Sequence, residues 1–217
     1  MKQIVLVLSL IITCPAIAQK IPLEVFAGND KVSFDLLLFK YLKNKKGENS
    51  PWLFINRDRI VMDYRMTSTT FLPQFAITNA FAYTPKSLKG FAPVGGAQIK
   101  NSGIIPKVGI FYSRAAKNWN GFTYLLVYPQ KEAALEYALV FRYLPAITKK
   151  VKLFSQLEYA SVYPTYTNGN ILYIQRIRTG IKLNAWQFGA ATDLQETGNT
   201  NFKPTATVGG FLRLELD

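Results

Sequence analysis

The chain has 217 residues, 49% hydrophobic and 14% aromatic, and carries 26 Lys and Arg against 13 Asp and Glu. It has no histidine and one cysteine, Cys14, which removes the Ser–His and Asp–His pairs of acyl hydrolysis and the commonest zinc ligands. The formal charge of +13 draws phosphate and other anions. No basic cluster sits on a recognisable nucleic-acid module, so lipid headgroups and anionic solutes are the better partners, and nucleic acid is set aside.

The first residues read as an export signal. Lys2 gives a positive start, residues 4–13 form an apolar run, and Ala16-Ile17-Ala18 supplies small residues at a cleavage site. The run is shorter than the roughly 20 residues a membrane helix needs. Residues 1–18 are therefore assigned to a cleaved signal peptide and 19–217 to a single domain. A lipidated Cys14 is the rival reading, but Ile11, Ile12 and Thr13 match the usual approach poorly and Pro15 follows directly. Cleavage removes the cysteine and leaves a mature chain held by burial and backbone pairing.

From there apolar and polar residues alternate with period two, in blocks parted by turn residues. Ten strands are expected, over residues 31–42, 52–66, 71–84, 104–114, 121–129, 134–144, 150–162, 170–182, 185–193 and 204–216. Lysines 43, 45 and 46 open the first connection and suit a solvated loop or contact with lipid phosphates. The strand over 52–66 carries Arg57, Arg59, Asp63 and Arg65 on one face. Asp58 and Asp63 stand among arginines, so salt bridges are expected of them in preference to glycoside hydrolysis.

In 71–84, Phe75, Ile77, Phe81 and Tyr83 oppose Gln74, Ala76, Thr78 and Ala80. Residues 85–103, with Gly90, Pro93, Gly95 and Gly96, read as the longest loop, either a binding loop or an inward plug. In 134–144, Leu135, Tyr137, Leu139, Phe141 and Tyr143 oppose Glu136, Ala138, Val140 and Arg142. Gln156 and Glu158 continue that charged face. In 170–182, Ile171, Tyr173, Ile177 and Ile181 oppose Arg176, Arg178, Gly180 and Lys182. Asp193, then Arg213 with Glu215, complete the set. Trp52, Trp119 and Trp186 fall near strand ends and suit anchors at a membrane–water interface, with core packing as the alternative.

Connections counted from a periplasmic N-terminus put the loops over 44–51, 85–103 and 194–203 outside. Long loops on one side and tight turns on the other fit a transmembrane barrel, although the fifth connection, over 129–133, is short. The apolar faces are rich in aromatics, the polar faces mix charges with Gly109, Gly189 and Gly209, and the strands are near the roughly 9–11 residues that cross hydrocarbon when tilted. The expected fold is all-β, a closed antiparallel up-and-down transmembrane barrel of eight to twelve strands, ten preferred. Bulky residues would meet lipid, while small and charged ones would pack the interior.

The segment Thr207-Val208-Gly209-Gly210-Phe211-Leu212-Arg213-Leu214 resembles the C-terminal signal of outer-membrane barrels, although the chain ends Leu216-Asp217 and not on an aromatic. Across its mature length the sequence resembles the small aromatic-rich outer-membrane proteins of Bacteroidota. That resemblance implies an outer-membrane location, folding by the barrel-assembly machinery, and no assigned activity.

The inward charges Arg57, Arg59, Asp63, Arg65, Glu136, Arg142, Glu158, Arg176, Arg178, Lys182, Arg213 and Glu215 are the candidate functional set. Read as a plug, they neutralise one another and fill the lumen of a non-catalytic structural or binding barrel. Read as a pore, their surplus arginines favour anions. A third reading is a soluble exported barrel holding an apolar ligand. No cofactor or metal motif is present, and outer-membrane lipid is the expected surrounding.

Overall fold

The computed structural model describes residues 21–64, 73–130, 132–166 and 169–216. Six strands make the first half of the sheet: β1 (Ile21–Gly28), β2 (Lys31–Lys43), β3 (Asn49–Asp63), β4 (Gln74–Tyr83), β5 (Phe91–Lys100) and β6 (Gly103–Ala115). Six more complete it: β7 (Trp119–Val127), β8 (Ala134–Tyr143), β9 (Val151–Pro164), β10 (Ile171–Leu183), β11 (Trp186–Gly198) and β12 (Lys203–Leu216). Each strand pairs antiparallel with its chain neighbours, and β1 pairs with β12 from Ile21↔Leu216 to Gly28↔Gly209, which closes the barrel. Closure leaves no edge of unpaired backbone groups, the condition a sheet must meet in hydrocarbon. Among the described residues no helix is long and apolar enough to cross a membrane, which says nothing of strands.

The expected closed up-and-down barrel is present, with twelve strands where ten were preferred. Two strands account for the difference. β1 begins at Ile21, just after the residues expected to form the export signal, and only Asn29 and Asp30 separate it from β2. β5 lies inside residues 85–103, which are therefore not one long loop. Its glycines belong to the strand: a Cβ on Gly96 would run into the carbonyl oxygen of Asn79 on β4. The expected signal peptide over 1–18, with Cys14, lies outside the described residues, as does Arg65.

One extra strand at the start reverses the end on which the first predicted loop lies. The connections after β2, β4, β6, β8 and β10 share an end with both β1's start and β12's finish. Residues 44–48 thus sit at that terminal rim, opposite residues 199–202, and not beside them as the count of ten strands implied. The rim loop is tied by Asn44, whose side-chain oxygen accepts from the backbone N–H of Lys46 at 2.9 Å and of Glu48 at 3.0 Å.

Period-two alternation sorts side chains to the two faces of the wall. Leu23, Phe34, Ile60, Phe81, Ile110, Leu125, Phe141, Ile177 and Leu212 are exposed on the exterior. Trp52, Trp119 and Trp186 stand at or near the starts of β3, β7 and β11, all at the terminal rim. Neighbouring rings join them there, Trp52 with Tyr83 at 5.1 Å and Trp119 with Phe141 at 5.9 Å between centroids. Trp52 and Trp186 are each 46% exposed, so the core-packing alternative does not hold for them.

Glycine shapes the wall where β10, β11, β12 and β1 meet. Gly180 faces Gly189 across the β10–β11 pair, and a Cβ on Gly189 would strike the carbonyl oxygen of Thr179. A Gly189→Val variant is expected to lose the folded, heat-modifiable band in gel electrophoresis. Overpacking of this kind costs about 1–3 kcal/mol even where the neighbours can move, and here the obstacle is backbone. Retention of wild-type heat modifiability would show that the strands have room to part.

Candidate functional site in the barrel lumen

The inner wall is lined by charges that pair with one another across and between strands. Glu24 of β1, 5% exposed, accepts from Arg178 Nε at 2.9 Å and from Arg213 Nε at 2.9 Å. Arg178 also donates to Asp193 at 2.7 Å, and its guanidinium lies 4.7 Å from the Phe26 ring centroid. Arg213 donates to Gln156 at 2.8 Å and covers the Phe154 ring at 4.9 Å. Arg142 donates to the same Gln156 oxygen at 3.0 Å. Lys182 pairs with Glu215, which accepts from Gln187 at 2.6 Å. Glu136 takes the Lys107 ammonium at 2.5 Å together with the hydroxyls of Tyr124 and Tyr128. Tyr128 lies in the connector beyond β7; burial, and then the Glu136 carboxylate, push its hydroxyl well above the usual range, so it remains a donor.

Two contacts cross the lumen. Arg57 on β3 reaches both Asp35 on β2 and Glu158 on β9, each at 2.7 Å. β3 and β9 are six places apart in a ring of twelve, so this pair spans the barrel from wall to wall. Arg59 joins the Asp35 end and also crosses to within 3.7 Å of Glu158, and Arg176 joins the Glu158 end. The second crossing is aromatic. Phe39 of β2 packs on Phe122 of β7 at 5.1 Å and on Phe111 of β6 at 6.3 Å between centroids. Phe111 sits in an apolar cluster with Leu53, Ala82 and Ala92, toward the terminal rim.

Between these crossings and the opposite rim lies a cavity of about 240 Å³. Phe39, Phe111 and Phe122 contribute to its lining, as do Arg57, Arg59, Lys100, Lys107 and Arg176, with Glu136 and Glu158 as its carboxylates. A second space of about 20 Å³, bordered by Pro22, Glu24, Arg142 and Arg213, continues past the ionic crossing toward the terminal rim. The two share Leu37, Arg57 and Glu158 as lining residues. Five cations against two carboxylates give the larger cavity an excess of positive charge at its wall.

Of the charges expected inside, Arg57, Arg59, Glu136, Arg142, Glu158, Arg176, Arg178, Lys182, Arg213 and Glu215 all meet partners within the lumen. Asp63 shares the strand parity of Arg57 and Arg59 but stands exposed at the end of β3. Asp58 is a correction: it lies on the exterior, accepts from Asn56 Nδ2 at 2.9 Å, and forms no arginine salt bridge among those described. The expectation that bulky residues all face outward is also corrected, since Phe26, Phe154 and Phe211 form a buried inner cluster. Glu24, Asp35, Lys100 and Lys107 were missed, although each shares its strand's inward parity with a residue buried in the lumen or lining it.

The fold and this lining define the class: a closed twelve-stranded barrel with a polar, partly open interior. Among solved structures the chain is similar to the NanC porin, with a TM-score of 0.52 and 9% identity over 92% of this chain and 100% of that one. It is also similar to the KdgM porin in complex with disordered oligogalacturonate, with a TM-score of 0.49 and 11% identity over 91% of this chain and 99% of that one. No family model and no curated protein matches the chain.

Proposed function

We propose that the chain is a non-catalytic outer-membrane barrel that forms a small channel with a weak preference for anions, narrowed at mid-height by the Arg57–Glu158 crossing. The observation that carries this reading is the cavity of about 240 Å³ whose charged lining is dominated by Arg57, Arg59, Lys100, Lys107 and Arg176. Guanidinium and ammonium groups on a narrow low-dielectric wall concentrate anions and repel cations. The apolar exterior with its rim of aromatics supports a lipid surrounding, and the fold likeness to the NanC porin agrees with it. Export through the leader over 1–18 and folding by the barrel-assembly machinery follow from the same reading. A second reading, a non-conducting structural or binding barrel, is favoured by the two contacts that cross the lumen.

Planar-bilayer recording of the purified full chain separates the two. The channel reading predicts small steady steps whose reversal potential in a salt gradient favours anions. Arg59→Ala together with Lys100→Ala is expected to move that potential toward cations by a factor of a few in permeability ratio. Absence of steps from folded protein leaves the binding barrel. Recovery of the chain in buffer without detergent would sink both.

A further inference from the structure

On the exterior of β3 and β4 the apolar belt is interrupted halfway along the strands. Asn56 and Asn79 face each other across the pair, and Asp58 follows two residues along β3. Asn56 Nδ2 donates to Asp58 Oδ1 at 2.9 Å, to Asn79 Oδ1 at 3.1 Å and to the Thr78 carbonyl at 3.4 Å. Phe54 and Phe81 lie to one side along the strands, Ile60 and Phe75 to the other, so neither rim is within reach. A carboxylate and two amides facing hydrocarbon are costly and are retained where another protein covers them.

The hydrogen bonds inside the cluster use one group on three acceptors. Among the described residues, Asn79 Nδ2, Asn56 Oδ1 and Asp58 Oδ2 have no partner, which leaves donors and acceptors together on one small patch. Such a patch is complementary to itself: under two-fold symmetry the Asn79 amide of each copy meets the Asp58 carboxylate of the other. Small residues lie directly beside the cluster. Asn79 adjoins Ala97, which in turn pairs with Pro106, and Phe81 adjoins Gly95, small side chains that let two walls approach closely.

We infer that a second copy of this chain docks on the β3–β6 face, its axis parallel to the barrel axis, with Asn56, Asp58 and Asn79 at the centre of the contact. The inference rests on the reading that this face meets hydrocarbon, and not on conduction.

The test uses the full chain in native envelopes and in detergent micelles. Asn79→Cys is expected to be joined into a dimer by a short bis-maleimide linker, since the two introduced thiols would sit diagonally across the axis and beyond the reach of a direct disulfide. Thr179→Cys, on the exterior of β10 and six strands away in the ring, is expected to remain monomeric. The triple variant Asn56→Leu, Asp58→Leu and Asn79→Leu is expected to keep its heat-modifiable fold and to dimerise about tenfold less, as the loss of two membrane hydrogen bonds implies. An Asn79→Cys chain that stays monomeric, or that couples only to a different protein, overturns the pairing. That result leaves the outer-membrane reading standing, whereas a chain soluble without detergent removes both.

Discussion

Replacement of Glu24 by alanine is expected to cost about 3–5 kcal/mol, the largest single loss on the inner wall, because it strips a carboxylate from between two buried cations. Arg178 and Arg213 are 2% and 4% exposed and share this one acceptor from opposite sides. Without it, Arg178 keeps only Asp193 as a carboxylate partner, and Arg213 keeps only the neutral Gln156. The stacking of Arg178 on Phe26 and of Arg213 on Phe154 would persist, but it does not replace a charge partner. The measurement is the urea midpoint of the folded band in micelles. Glu24→Gln, which keeps an acceptor oxygen and loses the charge, should fall between wild type and alanine. A shift worth less than about 1 kcal/mol, the range of exposed pairs, would mean that water reaches these groups and that the network is not a structural girder.

The alternation that places these charges was legible in the sequence because neighbouring residues of a strand face opposite sides. Arg57 and Arg59, Arg176 and Arg178, and Glu136 with Arg142 fell on common faces by counting in twos, and the lumen receives them. The same rule shows why Asp58 was misread. Lying between Arg57 and Arg59 in sequence, it cannot lie between them in a strand; it points away from both. Parity also held the signal for the inner aromatics, since Phe26 follows Glu24, Phe111 follows Lys107 at four residues, and Phe211 precedes Arg213.

What alternation does not carry is which wall lies opposite which. The Arg57–Glu158 and Phe39–Phe122 crossings depend on the number of strands between them, and two strands were missed. β5 was hidden by the turn-like composition of Pro93, Gly95 and Gly96, although Gly96 is there because β4 approaches too closely for a Cβ. β1 was hidden by its position between the segment read as a leader and a two-residue turn. Twelve strands also widen the cylinder beyond the eight to ten that their own side chains fill, which is how a cavity fits beside a dense ionic network.

Truncation of the aromatic crossing is expected to produce the largest change in conductance. Phe39 and Phe122 line the cavity on its terminal-rim side between β2 and β7, while the ionic crossing separates it from the small space beside Glu24 and Arg142, which we take as a second route to that rim. Two routes side by side add their conductances, so opening one leaves the contribution of the other unchanged. Phe39→Ala with Phe122→Ala should therefore raise single-channel conductance several-fold even with Arg57 and Glu158 intact. Adding Glu158→Gln should contribute a further increment equal to its effect alone. Loss of a fully buried Phe costs about 3–5 kcal/mol where a dry void remains; Phe39 and Phe122 are only partly buried and line a cavity with charged walls, so the loss should sit at the lower end and the fold should survive. Conductance that stays at wild-type level in the double Phe variant, and rises only when Glu158 is also replaced, would place the crossings in series and refute the two-route lumen.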